Sequence, residues 1–119
     1  MKLDEIVTLL EAEVLAGGKN LETDINDCAS SDLMSDVLAR MTTPDLLLSG
    51  LSNTQLIRTA SLSGIKAVIM IRGKNIDQSL IDLAEKEDII LIRTRLSCFG
   101  ASGLLYEKGL RNNGDATGK

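Results

Sequence analysis

Three cations in the second half of the chain, Arg72, Lys74 and Arg95, each stand just past an aliphatic run. Around them are small groups able to donate hydrogen bonds: Ser52, Asn53 and Thr54, then Gly73, then Thr94 and Ser97. Guanidinium, ammonium, hydroxyl and backbone N–H donors gathered at one place suit a small anion or a phosphate-bearing ligand such as a nucleotide. The ordinary roles of the same residues are helix capping for the hydroxyls and solvation for the cations. Cys98 is the one candidate for redox chemistry. A thiol at a helix start is activated by the helix dipole, and Arg95 is close in sequence. The competing role of Cys98, and of Cys28, is as a small core residue.

What is missing narrows the chemistry further. The 119 residues contain no histidine, which removes imidazole bases, Ser-His nucleophiles and His-rich metal sites. Two cysteines without a CxxC pair are too few for an iron–sulfur cluster in one chain. Asp24, Asp27, Asp32 and Asp36 lack the spacing of a calcium loop and read as a solvated face, with Asp32 and Asp36 one turn apart on a helix. A P-loop needs G-x-x-x-x-G-K-[ST], and the nearest string, Gly114 to Lys119, lacks that spacing and the hydroxyl residue. No catalytic constellation, metal site or cofactor is expected.

The net charge of −4 and the absence of a basic stripe with stacking aromatics argue against nucleic acid as a partner. No apolar stretch reaches the roughly 18 residues of a membrane span. The start Met1-Lys2-Leu3-Asp4-Glu5 turns acidic too early for a signal peptide. A cytoplasmic protein with reduced thiols is expected.

Positioning the candidate residues is the task of the elements around them. Hydrophobic residues make up 44% of the chain, with one Phe and one Tyr, so the core must be aliphatic. Leu3, Ile6, Val7 and Leu10 recur at helical spacing, predicting a helix over Leu3 to Glu11. A brief strand Glu13–Ala16 stops at Gly17-Gly18, and a weaker one lies near Asp24 to Ala29. Ser30 or Ser31 can cap a helix Asp32–Met41 that buries Leu33, Met34, Val37, Leu38 and Met41. Pro44 ends it.

From there strands and helices alternate: strand Asp45–Ser49, helix Asn53–Ser63, strand Lys66–Ile71, helix Gln78–Lys86, strand Asp88–Arg93, and a helix from Ser97 to Lys108. Ser52 and Gln55 have capping-box spacing, Gly64 fits a helix terminus, and Asp77 and Ser97 fit caps. Runs such as Ala67-Val68-Ile69-Met70-Ile71 suit strands covered on both faces. The expected fold is therefore α/β: a three-layer sandwich with a mostly parallel sheet, plus a short N-terminal helix and strands. In such a sheet the exit loops, and so the candidate residues, gather at the carboxyl edge.

The order of these pieces resembles the DRTGG domain family. The resemblance is carried by Ser31-Asp32-Leu33-Met34-Ser35-Asp36-Val37-Leu38, the strand Ala67–Ile71 with its glycine loop, and Ile76-Asp77. It continues through Leu83-Ala84-Glu85-Lys86, Ile89 to Ile92, Thr94 and Phe99, and covers Leu3 to Leu110. Members of this family are fused to CBS domains, inorganic pyrophosphatases or phosphotransacetylases. Stand-alone members are often labelled relatives of HPr serine kinase. The ending Cys98 to Leu110 is similar to stand-alone members found near iron-only hydrogenase operons. The family's Gly-Gly pair after the central strand is here Arg72-Gly73-Lys74, so only Gly73 carries over.

These readings imply one domain over residues 1–109 and a flexible tail over 110–119. The expected function is a non-catalytic regulatory or ligand-sensing module that binds a small anion or nucleotide at the sheet's carboxyl edge. It would act as a homodimer or by docking to a larger enzyme. The alternatives are a redox accessory protein of hydrogenase metabolism using Cys98, and a purely structural dimerisation module. Gly100 and Gly103 weaken the last helix unless close packing, on the sheet or on a second copy, repays them.

Overall fold

The aliphatic runs that lack polar alternation become the centre of one sheet. The computed structural model describes residues 1–39, 42–73 and 75–112. Strands β1 (Glu13–Ala16), β2 (Cys28–Ser30), β3 (Leu46–Ser49), β4 (Ala67–Met70) and β5 (Ile90–Arg93) line up in the order β1-β5-β4-β3-β2. β2, β3, β4 and β5 run parallel, with Leu46 opposite Ala67 and Ala67 opposite Ile90. β1 joins β5 antiparallel, pairing Glu13 with Arg93. The two short N-terminal strands thus form the two edges.

Because side chains alternate along a strand, each run feeds two cores. Leu47, Val68, Met70 and Leu91 pack under α2 (Met34–Leu38), α3 (Thr54–Ser63) and α4 (Gln78–Lys86). Leu46, Leu48, Ala67, Ile69, Ile90 and Ile92 pack against α1 (Leu3–Leu9) and α5 (Cys98–Glu107). Leu46, Leu47, Leu48 and Ile69 are fully buried, and each such side chain contributes about 1.5–3 kcal/mol. Layers of helix, sheet and helix follow, as the doubly covered strands require.

Helix ends account for most departures from the sequence reading. α3 is capped by Asn53, whose Oδ1 accepts the Leu56 N–H at 3.0 Å, not by Ser52. Gly64 ends it in the left-handed region at φ 82°, as expected. Ser97 caps α5, its Oγ accepting the Gly100 N–H at 3.1 Å. Asp77 holds the cap position of α4 without a side-chain bond.

α2 is shorter than its apolar pattern suggests. Ser31 Oγ takes the Leu33 N–H at 3.1 Å, a local turn that delays helix entry to Met34. Met34 and Val37 are buried, whereas Leu33 and Leu38 are 58% and 57% exposed, correcting their expected place in the core. Met41 lies outside the described residues.

Packing continues past Gly109. Leu110 is buried in the core cluster on the α1 and α5 side of the sheet, and the Arg111 carbonyl accepts the Cys28 N–H at 3.0 Å. The remainder of the expected tail, from residue 113, lies outside the described residues. Among the described residues no helix is long and apolar enough to cross a membrane.

Candidate functional site

At the carboxyl edge of the parallel strands, the exits of β2 and β3 are tied together by one carboxylate. Asp32 Oδ1 accepts the Gly50 N–H at 2.6 Å and the Ser49 hydroxyl at 3.1 Å. Ser49 Oγ in turn accepts the Leu51 N–H. Asp32 precedes α2 and is a loop clamp, not one of a helical pair with Asp36. Ser52 and Thr54 stay exposed beside it, and the Asn53 oxygen is engaged in capping.

The exits of β4 and β5 diverge: β4 leads to α4 on one face, β5 to α5 on the other. Such a divergence normally opens a ligand crevice. Here two backbone bonds close it. The Gly73 N–H donates to the Thr94 carbonyl at 2.7 Å, and the Arg72 N–H to the Leu96 carbonyl at 2.9 Å. Both Arg72 (φ 65°) and Gly73 (φ 58°) take left-handed backbone to make this turn. Glycine does so freely, whereas an arginine there costs about 1–2 kcal/mol. Gly73 also lets the loops approach, since a Cβ on it would sit 3.3 Å from Arg95 Cγ. Thr94 is buried, donating its hydroxyl to the Leu10 carbonyl at 2.9 Å and accepting the Leu96 N–H at 3.3 Å.

With the crevice closed, the concavity moves to the β1 side of β5. A polar cleft of about 220 Å³ is lined by Glu11, Glu13, Gly73, Asn75, Arg93 and Arg95. Arg93 and Glu13 pair at 2.6 Å, a bridge that the β1–β5 register sets up. Arg95 is exposed and its side chain makes no hydrogen bond or ion pair among the described residues, and the same holds for the side chain of Glu11. Glu11 follows α1 at φ 48°, in the position where glycine usually ends a helix.

Of the predicted site residues, the cleft therefore unites Gly73 and Arg95, with Arg72 and Thr94 forming the backbone beneath. Ser52, Asn53 and Thr54 belong to the β3 exit, and Ser97 serves α5; none of these four lines the cleft. Lys74 lies outside the described residues. The sequence reading missed Glu11, Glu13 and Arg93, and it missed the clamp made by Asp32. Glu13 and Arg93 come together only through antiparallel pairing of distant strands, which no local spacing encodes.

Two larger hollows, about 370 and 340 Å³, open at the amino ends of the strands and share Asn20, Asp88, Ile89 and Ile90. Two of their acids already hold the fold: Glu85 accepts the Gly17 N–H and Glu87 the Ser61 hydroxyl, both at 2.9 Å. No predicted site residue lines either hollow. Cys98 is half-buried with Sγ 3.8 Å from Ser102 Oγ, and Cys28 is half-buried in β2. No group of three or more Cys, Asp or Glu among the described residues could hold a metal ion.

Gly100 has only loose neighbours and Gly103 nothing within 4 Å. Of the two close approaches open to these glycines, onto the sheet or onto a second copy, the first is not made. Phe99, 90% exposed, and Tyr106, 62% exposed, stand on the same helix, and the Arg111 guanidinium stacks 3.7 Å from the Tyr106 ring centre.

Comparison with curated proteins gives no match. Among solved structures, the fold is shared with the CBS and DRTGG domains of the regulatory region of Clostridium perfringens pyrophosphatase, a crystal structure complexed with its activator, diadenosine tetraphosphate. The TM-score is 0.72 at 20% sequence identity over 87% of this chain and 45% of that one. The chain thus spans less than half the length of that structure. The family model for the DRTGG domain matches residues 5–107. That match takes in all five strands and the whole rim just described, and the chain belongs to the DRTGG domain family.

Proposed function

We propose that this domain is a non-catalytic, ligand-sensing regulatory module of the cytoplasm that takes a small anion or nucleotide phosphate in the cleft beside the β5 exit. The observation that carries the reading is the position of Arg95. Its guanidinium has no partner among the described residues, and its stem rests on Gly73 within a polar cleft. A guanidinium held against a glycine loop is suited to oxyanions, which it meets with a planar fork of donors. The structural relative that binds diadenosine tetraphosphate is a regulatory region, which supports a nucleotide ligand and docking to a larger enzyme. Regulation would follow if the ligand binds one arrangement of the β4 and β5 exits better than another, because only differential affinity shifts a population.

Isothermal titration with inorganic phosphate, pyrophosphate, AMP and diadenosine tetraphosphate tests the reading. Heat that is present in the native chain and abolished in Arg95→Ala supports it. Absence of heat with all four would overturn it.

A homodimer is the proposed assembly, supported by the exposed Phe99 and Tyr106 and the open backbone at Gly103 on one helix. Small residues between aromatics let two helices approach closely in a self-complementary contact. A redox role beside hydrogenase chemistry has less support. Cys98 is half-buried, with its Sγ 3.8 Å from Ser102 Oγ.

A further inference from the structure

The cleft is not a purely cationic anion trap, and its acids define the ligand more closely. Resting on the reading of this cleft as the anion site, we propose that it recognises a sugar phosphate unit: Arg95 holds the phosphate and Glu11 accepts hydrogen bonds from adjacent sugar hydroxyls. Glu11, Glu13, Arg93 and Arg95 all line the same hollow. The Glu13–Arg93 bridge at 2.6 Å cancels one charge of each sign. One carboxylate and one guanidinium, Glu11 and Arg95, are left without partners among the described residues.

A bare polyphosphate would meet repulsion from Glu11, because like charges a few ångströms apart oppose one another. A ligand that carries an anion at one end and hydroxyl donors at the other satisfies both groups. A carboxylate acts only as an acceptor, so what it binds must donate.

Size agrees. Sites for whole drug-sized ligands hold about 300–1,000 Å³, and this one offers about 220 Å³. It fits a phosphorylated sugar and leaves a nucleobase at the mouth. Asn75, exposed at that lining, supplies an amide able to donate and accept.

The test uses the full chain with AMP, ribose 5-phosphate, 2′,3′-dideoxy-AMP, inorganic phosphate and glycine as probes in isothermal titration. AMP and ribose 5-phosphate should bind alike, and loss of both hydroxyls should weaken binding about tenfold, the worth of a charge-assisted hydrogen bond. Glu11→Gln should shrink that difference to about twofold. Glu11→Gly, which suits the backbone at φ 48°, should do the same in a variant that folds at least as well. Equal affinity for AMP and its dideoxy analogue, or an unchanged preference in both Glu11 variants, overturns the sugar assignment while leaving an anion site in place. Tighter binding of glycine than of ribose 5-phosphate overturns it in favour of a zwitterion. No binding of any phosphate probe removes the anion site itself, and the sugar assignment with it.

Discussion

Gly73 and Arg95 meet where the exits of β4 and β5 are laced together: a Cβ at Gly73 would stand 3.3 Å from Arg95 Cγ, and 3.6 Å from its Cα. The contact fixes the stem of the cation proposed to hold the anion. Gly73→Ala must therefore move Arg95 and adopt φ 58° with a side chain. The expected cost is about 1–2 kcal/mol of stability, read by urea denaturation, together with weaker phosphate binding. Unchanged stability and affinity would mean that the loop accommodates a methyl group freely.

Arg72 presents the opposite trade. It holds φ 65° at the position next to Gly73, so Arg72→Gly should raise stability by about 1 kcal/mol. If its guanidinium adds to the field at the rim, phosphate affinity should fall in the same variant and fall further at low salt. A destabilised Arg72→Gly would show that the side chain, not the backbone, dominates at this position.

Thr94→Val keeps the shape of the side chain and removes a hydroxyl that is buried between the Leu10 carbonyl and the Leu96 N–H. Leaving such groups unsatisfied costs about 1–3 kcal/mol. Because Leu10 closes α1, the loss should show as faster amide exchange at α1 and at Leu96 as well as in global unfolding. A variant as stable as the parent would indicate that water replaces the hydroxyl.

Asp32→Ala removes the acceptor shared by Ser49 and Gly50. Asp32 is exposed, so the loss is limited to about 1–2 kcal/mol. Asp32→Asn should recover part of it, since an amide oxygen can still accept from Gly50. Equal losses in both variants would show that the charge, not the acceptor geometry, is what matters.

Phe99→Asp tests the proposed homodimer. The ring is 90% exposed, so the substitution should leave folding intact while shifting sedimentation toward the monomer. Alkylation of Cys98 separates the redox reading from the ligand reading: phosphate binding should survive it. Loss of binding on alkylation would bring Cys98 into the site.

The sequence by itself determined the alternation of elements, the two-faced burial of the central strands and the parallel sheet. Ala67–Met70 and Ile90–Arg93 are legible because unbroken aliphatic runs have few other places to go. Gly64 and Ser97 were legible for a similar reason: helix termini have local chemistry, and that chemistry is written in adjacent residues.

What only the tertiary structure decided is the shape of the site. Side chains within one loop share an address in sequence, but Glu13 meets Arg93, and Gly73 meets Arg95, through strand pairing between distant segments. The same pairing extends past Met70 and Arg93 to close the expected crevice and relocate the hollow to the β1 flank. Composition fixes which strands are buried because burial depends on the residue itself. Register depends on the neighbour across the sheet, and no single segment contains it.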